Sequence, residues 1–278
     1  MKKRNPLIYI AVIFILCSIV KDIEFLFIKT DQTIIAENII CKLFCIAIIF
    51  IFNKLYGLSW ASLGFIRKGF LKGMFSGFVL GLGTFAVSYA LEFAILALQG
   101  LHPELKFFIT NFAISNQNVT GLSLSAVLIC LAGNVVNVWA EEGLFRGLFF
   151  KLGSERLSKN ATNFLQALFF GVWHIVTVIG WVLDGTMSIP FALAMALGYV
   201  VLAGILGLEW GFWVMITGTV WTGLFEHFFN NFISNTLHVV TETGTDEMQI
   251  LRIVLSNILS LCVAVFVMKK SKKKSQTL

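Results

Sequence analysis

Eight stretches of mostly apolar sequence follow one another along this chain, each close to the ~20 residues that a helix needs to cross a bilayer. They cover roughly Pro6–Phe27, Ile34–Leu55, Phe70–Leu98, Leu122–Phe150, Ala161–Leu183, Ser188–Leu208, Gly211–Ile233 and Ile250–Met268. Hydrocarbon offers no water to backbone amides and carbonyls, so segments of this length must satisfy their own hydrogen bonds as helices. The expected fold is therefore all-α, a polytopic membrane helix bundle of about eight transmembrane helices. The chain is 58% hydrophobic and only 13% charged, where a soluble domain carries about 25% charged residues. We read 1–278 as a single integral membrane domain whose partner is the lipid bilayer. The first span is interrupted by Lys21, Asp22 and Glu24, and only Glu209 and Trp210 separate the sixth span from the seventh.

Charge placement orients this bundle. An even number of spans puts both termini on one side. That side holds Lys2, Lys3, Arg4, Lys54, Arg67, Lys68, Lys72, Lys151, Arg156, Lys159 and the lysines of the 269–278 tail, fifteen of the 21 Lys and Arg. Lys21, Lys29, Lys106 and Arg252 fall on the other side, and Lys42 and Arg146 lie within spans. The positive-inside rule then makes the termini cytoplasmic in a multi-pass cell-membrane protein. The apolar run Leu7–Val20 lacks a small-residue cleavage site before Lys21, so it reads as a retained first span. The basic clusters flank membrane segments without interleaved aromatics, which argues against a nucleic-acid partner. Cys17, Cys41, Cys45, Cys130 and Cys262 all sit in apolar runs without a Cys-x-x-Cys pair and read as packing residues.

Against that background, Glu141, Glu142 and Arg146 stand out within the fourth span. A charge at the bilayer centre costs at least ~2.5–3.5 kcal/mol, so such groups need partners, water or a function. Glu142 and Arg146 are four apart and face each other on a helix. Glu141 points about 100° away and can meet a different partner. His174 lies in the fifth span, and His227 and Asn231 share a face of the seventh. Histidine and asparagine can donate hydrogen bonds to a developing oxyanion, and neutral histidine can also ligate zinc. His102 and His238 fall in the outer segments and read as solvated. Glu37, Glu92 and Lys42 sit in or near spans without an assignable role, snorkelling or helix pairing being the simplest; Glu226 shares a face with Asn230. Gly77, Gly81 and Gly83 suggest close helix packing. The His-Glu-x-x-His and Gly-x-Ser-x-Gly signatures are absent.

The ordered set Glu141-Glu142-x-x-x-Arg146, Phe170-x-x-x-His174 and His227-x-x-x-Asn231 resembles the three motifs of the CPBP intramembrane proteases, the CAAX-protease and bacteriocin-processing (Abi) group that includes the type II CAAX prenyl endopeptidases. The family-like core spans about 122–235. The resemblance implies an eight-span bundle with an enclosed site and a peptide or protein substrate. It implies that Glu141 and His174 activate water, that His227 and Asn231 stabilise the oxyanion, that Glu142 pairs with Arg146 to fix the helix, and that Phe170 is a supporting residue. It leaves open a Zn2+ ion on Glu141, His174 and His227, or a glutamate mechanism without metal. Leader-peptide processing fits a chain rich in Ile, Phe, Asn and Lys, the bias of an AT-rich prokaryotic genome. The alternatives are a non-catalytic bacteriocin self-immunity or scaffold protein, and a transporter with a buried proton relay; paired broken helices and repeated halves, which a transporter would bring, are not evident. Counting along the spans puts Glu141 near the inner end of one and His227 near the outer end of another. A chamber open to the cytoplasm would let them meet.

Overall fold

The computed structural model describes residues 5–33, 37–110, 123–244 and 246–276. In chain order these form α1 (Pro6–Ile23), α2 (Ile39–Tyr56), α3 (Phe70–Leu98), β1 (Glu104–Phe107), α4 (Leu124–Glu141), a π-helical segment (Glu142–Phe149), α5 (Phe150–Gly153), α6 (Lys159–Val172), α7 (Ile175–Leu183), α8 (Ile189–Thr217), α9 (Trp221–Thr236), β2 (Leu237–Val240) and α10 (Gln249–Gln276). The architecture is an all-α polytopic bundle. Six helical stretches are long and apolar enough to cross a membrane: Ile39–Tyr56, Arg67–Leu98, Leu124–Gly153, Lys159–Leu183, Ile189–Thr217 and Gln249–Ser271. Helices α1 and α9 pack among them. Many large apolar side chains point outward, among them Phe75, Leu124, Leu193 and Phe266. Such a surface suits lipid and would be a liability in water.

Local chemistry sets several helix ends. Asn5 caps α1 by accepting from Leu7 N, with Pro6 at the first helical position. Ser123 and Ser158 cap α4 and α6 in the same way. Gly218, at φ 72°, closes α8 in the left-handed conformation that glycine adopts without steric cost. The turn between α8 and α9 is therefore at 218–220. The tight turn expected at Glu209–Trp210 does not exist, because α8 runs straight through both residues. Glu209 is fully buried and bonded to Trp213 and Ser260, so its polarity marks an interior contact rather than a loop.

Glycines bring the helices into contact. A Cβ on Gly77 of α3 would lie 2.5 Å from the Thr222 carbonyl of α9, and one on Gly171 of α6 would lie 2.4 Å from the Val200 carbonyl of α8. These are the close approaches that small residues permit between membrane helices. Gly83 meets no neighbour, so the expected packing role holds for Gly77 and Gly81 only.

The outer segments carry structure that the hydropathy pattern does not reveal. β1 and β2 pair antiparallel, with Glu104 opposite Val240 and Phe107 opposite Leu237. His238 is buried rather than solvated: it bonds Asp246 at 2.9 Å, and Asp246 in turn pairs with Arg252. Arg252 reaches Glu92 of α3 at 2.6 Å, which gives that carboxylate its partner. This network ties the strand pair to α3 and α10.

Candidate active site

Two irregularities of helix geometry present the polar side chains. Helix α4 passes into the π-helical segment at Glu142, and α6 breaks at Trp173–His174 before α7 begins. π-Helical turns recur at functional sites because they re-aim side chains. Glu141 ends α4, eighteen residues into a 30-residue helical stretch. Helix α9 begins at Trp221, so His227 lies less than two turns from its start. The mismatch in depth expected from the sequence thus came from the misplaced α8–α9 turn.

Glu141, His174, His227 and Asn231 line one cavity of about 230 Å³. Glu141 is almost fully buried. Its Oε1 accepts hydrogen bonds from the Lys42 ammonium and from the Trp173 indole, the latter at 3.0 Å. Its Oε2 faces His227 Nε2 at 3.8 Å. His227 Nδ1 bonds Glu142 Oε1 at 2.9 Å, and its ring stacks on Trp210 with centroids 4.0 Å apart. His174 Nδ1 lies 2.8 Å from the Phe170 carbonyl. A carbonyl only accepts, so Nδ1 carries the proton and the neutral ring keeps a lone pair on Nε2.

Behind the cavity, Arg146 and Glu142 form the expected ion pair at 3.3 Å, with both side chains inaccessible. The guanidinium lies over the Phe170 ring at 4.0 Å and the Trp210 ring at 4.7 Å. Cation–π contact of this kind contributes about 2 kcal/mol or more when desolvated. The sequence reading thus finds its seven residues in one region, four on the cavity and three supporting it. Five others were not among them. Lys42 is buried against Glu141 rather than snorkelling, and its partner is 99 positions away in the chain. Trp173 reads as an apolar residue. Asn137 lines the cavity one turn before Glu141, a spacing that was legible. Lys21, also in the lining, donates to the Trp173 carbonyl at 2.7 Å. Glu37, in the connection before α2, also lines the cavity, and burial pushes its carboxyl up to about 6.

Among the described residues, no three His, Cys, Asp or Glu side chains are grouped to hold a metal ion. Glu141 Oε1 is taken by Lys42 and Trp173, while His227 and His174 each commit Nδ1 to a protein acceptor. Glu141 Oε2 and the Nε2 atoms of His174 and His227 carry no such bond, so these are the atoms that would hold a metal ion.

The cavity is lined at depth by residues of α4, α9 and the α6–α7 break. Its lining continues to residues of the α1–α2 connection, the segment after β1, β2 and the start of α10.

The arrangement is that of a membrane helix bundle with a carboxylate and two histidines around an internal chamber. Residues 123–233, about two fifths of the chain, match the family model described as type II CAAX prenyl endopeptidase Rce1-like, and this segment carries the CPBP-type motifs read from the sequence. The matched segment is thus similar to CAAX-type proteases, and it lies in a chain with six helices long and apolar enough to cross a membrane. No curated protein and no solved structure matches the chain.

Proposed function

We propose that this protein is an intramembrane endopeptidase that hydrolyses a peptide bond of a membrane-associated protein or leader peptide with a glutamate-activated water. The observation that supports this reading is the convergence of Glu141, His174, His227 and Asn231 on one cavity. Glu141 Oε2 and His174 Nε2 are the two acceptors left free to orient a water. Glu141 takes one proton as the water oxygen bonds to the scissile carbonyl carbon. The carbonyl oxygen becomes an oxyanion and accepts from the Asn231 amide and from His227 Nε2 in its protonated form. Collapse breaks the C–N bond, and the proton held by Glu141 passes to the leaving amine.

Lys42 acts through Glu141 as a positioning residue. Its ammonium and the Trp173 N–H fix the carboxylate, and they offset the cost of a charge in a low-dielectric site. Glu142 holds His227 by Nδ1, and Arg146 holds Glu142. The route needs no metal. The test is cleavage of a quenched-fluorescent peptide by the purified chain in lipid nanodiscs. His174→Ala is expected to abolish turnover without unfolding the bundle, and a strong chelator is expected to leave turnover unchanged. Full activity in His174→Ala contradicts the assigned role. Loss on chelation restored by zinc would instead make Glu141, His174 and His227 metal ligands.

A further inference from the structure

We propose that Lys21 forms a carboxylate-binding subsite of the cavity, so that the peptide cut there carries a carboxylate close to the scissile bond. The word scissile rests on the endopeptidase reading above. The subsite rests on geometry that does not depend on it.

Among the described residues, four lysine or arginine side chains are buried: Lys21, Lys42, Arg146 and Arg252. Three of them have carboxylate partners, since Lys42 pairs with Glu141, Arg146 with Glu142, and Arg252 with Glu92 and Asp246. No carboxylate of the described residues lies within ion-pair distance of Lys21, although its side chain lines the cavity. Of the acids that share this lining, Glu141 is held by Lys42, Asp246 by His238 and Arg252, and Glu37 accepts from the Asn38 amide at 2.9 Å. The Lys21 ammonium donates to the Trp173 carbonyl at 2.7 Å and lies 4.3 Å from the centre of the Trp173 ring. The break between α6 and α7 frees that carbonyl, because Thr177 N bonds the His174 carbonyl instead. An ammonium carries three donors, so one carbonyl leaves it under-used. A buried cation without a counter-charge is also costly. A negative group in the cavity supplies both the acceptor and the charge.

The position of Lys21 narrows the ligand. The Trp173 indole joins it to the reacting carboxylate, since its N–H donates to Glu141 at 3.0 Å. Lys21 and Lys42 lie 4.3 and 5.7 Å from the centre of that ring, so the two ammoniums are at most about 10 Å apart. Lys42 bonds Glu141 directly. An extended peptide advances about 3.3 Å per residue, so a group on Lys21 lies within about three residues, on either side, of the bond cut at Glu141. The anionic group that an unmodified peptide offers is a carboxylate. A C-terminus and an Asp or Glu side chain present the same two oxygens. Charge-assisted hydrogen bonds are roughly twice as strong as neutral ones, so Lys21 selects peptides that carry such a group.

Three matched quenched-fluorescent peptide libraries test this with the purified chain in lipid nanodiscs. One has free C-termini and no Asp or Glu. The second has amidated C-termini and a Glu at each position in turn. The third has amidated C-termini and no acid at all. Initial rates are compared below KM. One carboxylate library is expected to be cleaved about tenfold faster than the neutral one, and the faster library names the source of the carboxylate. Lys21→Met and Lys21→Gln are expected to abolish that preference, and Lys21→Arg to keep it. Lys21→Gln still offers a donor to the Trp173 carbonyl, so a Lys21 that only caps the broken end of α6 predicts the preference intact in this variant. Equal rates on all three libraries in the unmodified protein, or a preference unchanged in Lys21→Gln, overturn the subsite. Retention of labelled libraries on the nanodiscs separates this claim from the endopeptidase reading. Carboxylate-dependent retention that Lys21→Gln loses, without cleavage of any library, keeps the subsite and refutes that reading. Neither preferential retention nor cleavage overturns both.

Discussion

Two clusters of buried carboxylates share helix α9, and they are built on opposite plans. In one, Glu141 has a single oxygen held by Lys42 and Trp173 and turns the other toward His227 and a cavity. In the other, Glu226 and Glu209 are bridged by the Ser260 hydroxyl, with Trp213 donating to Glu209 at 2.7 Å. Neither Glu209 nor Glu226 lines the cavity. The first cluster pairs its carboxylate with a cation and leaves an acceptor accessible. The second sets two carboxylates against each other between α8, α9 and α10, an arrangement that a shared proton relieves. Burial of charge in a membrane therefore does not by itself identify the reactive group. A free acceptor on an accessible wall does.

This contrast can be broken or sharpened by substitution. Short of Glu141 and His174, the largest effect is expected at the oxyanion donors. His227→Ala and Asn231→Ala should each lower kcat by roughly 10²–10³-fold, the usual loss for one such donor. Steady-state cleavage in nanodiscs checks this, and a change confined to KM would move these residues to substrate binding. Next comes Lys42→Met, which leaves Glu141 buried without its cation. Breaking a buried pair costs about 3–5 kcal/mol, so a clear fall in thermal midpoint is expected, and most of it should return in the double variant Lys42→Met/Glu141→Gln. Absence of that recovery would uncouple the pair. Arg146→Met should likewise lower the midpoint by stranding Glu142, and it should weaken catalysis through His227. The smallest effect belongs to the sealed cluster. Glu209→Gln keeps the shape and the hydrogen bonds of a protonated carboxyl, so cleavage should stay within about threefold and stability within about 1 kcal/mol. A large loss of turnover would join the two clusters into one machine.

The parts of the site that the sequence made legible share one physical property. Glu141, Glu142, Arg146, His174, His227 and Asn231 are polar groups in apolar helices, where burial is costly enough to demand a reason. Their helical spacing also gave the Glu142–Arg146 contact, because three- and four-residue separations are local. What stayed hidden was non-local or disguised. Lys42 was visible as an oddity, but its partner depends on how α2 packs against α4. Trp173 carries its indole donor inside an apolar ring. Glu209 looked like a turn residue because polarity in a short gap between apolar runs mimics a loop. That one misreading displaced the α8–α9 turn by about two and a half helical turns and with it the apparent depth of His227. The strand pair was concealed by short polar segments whose pairing links positions 130 or more residues apart.

The most direct test of the account compares Glu141→Gln with Glu226→Gln in the same nanodisc preparation, with the initial rate of peptide cleavage as the readout. General acid–base groups contribute about 10²–10⁴-fold. Glu141→Gln should therefore lose at least ~10²-fold while Glu226→Gln keeps a rate near that of the unmodified protein, both remaining folded. Equal rates in the two variants, or loss only in Glu226→Gln, would contradict the claim that the cavity-facing carboxylate drives the reaction.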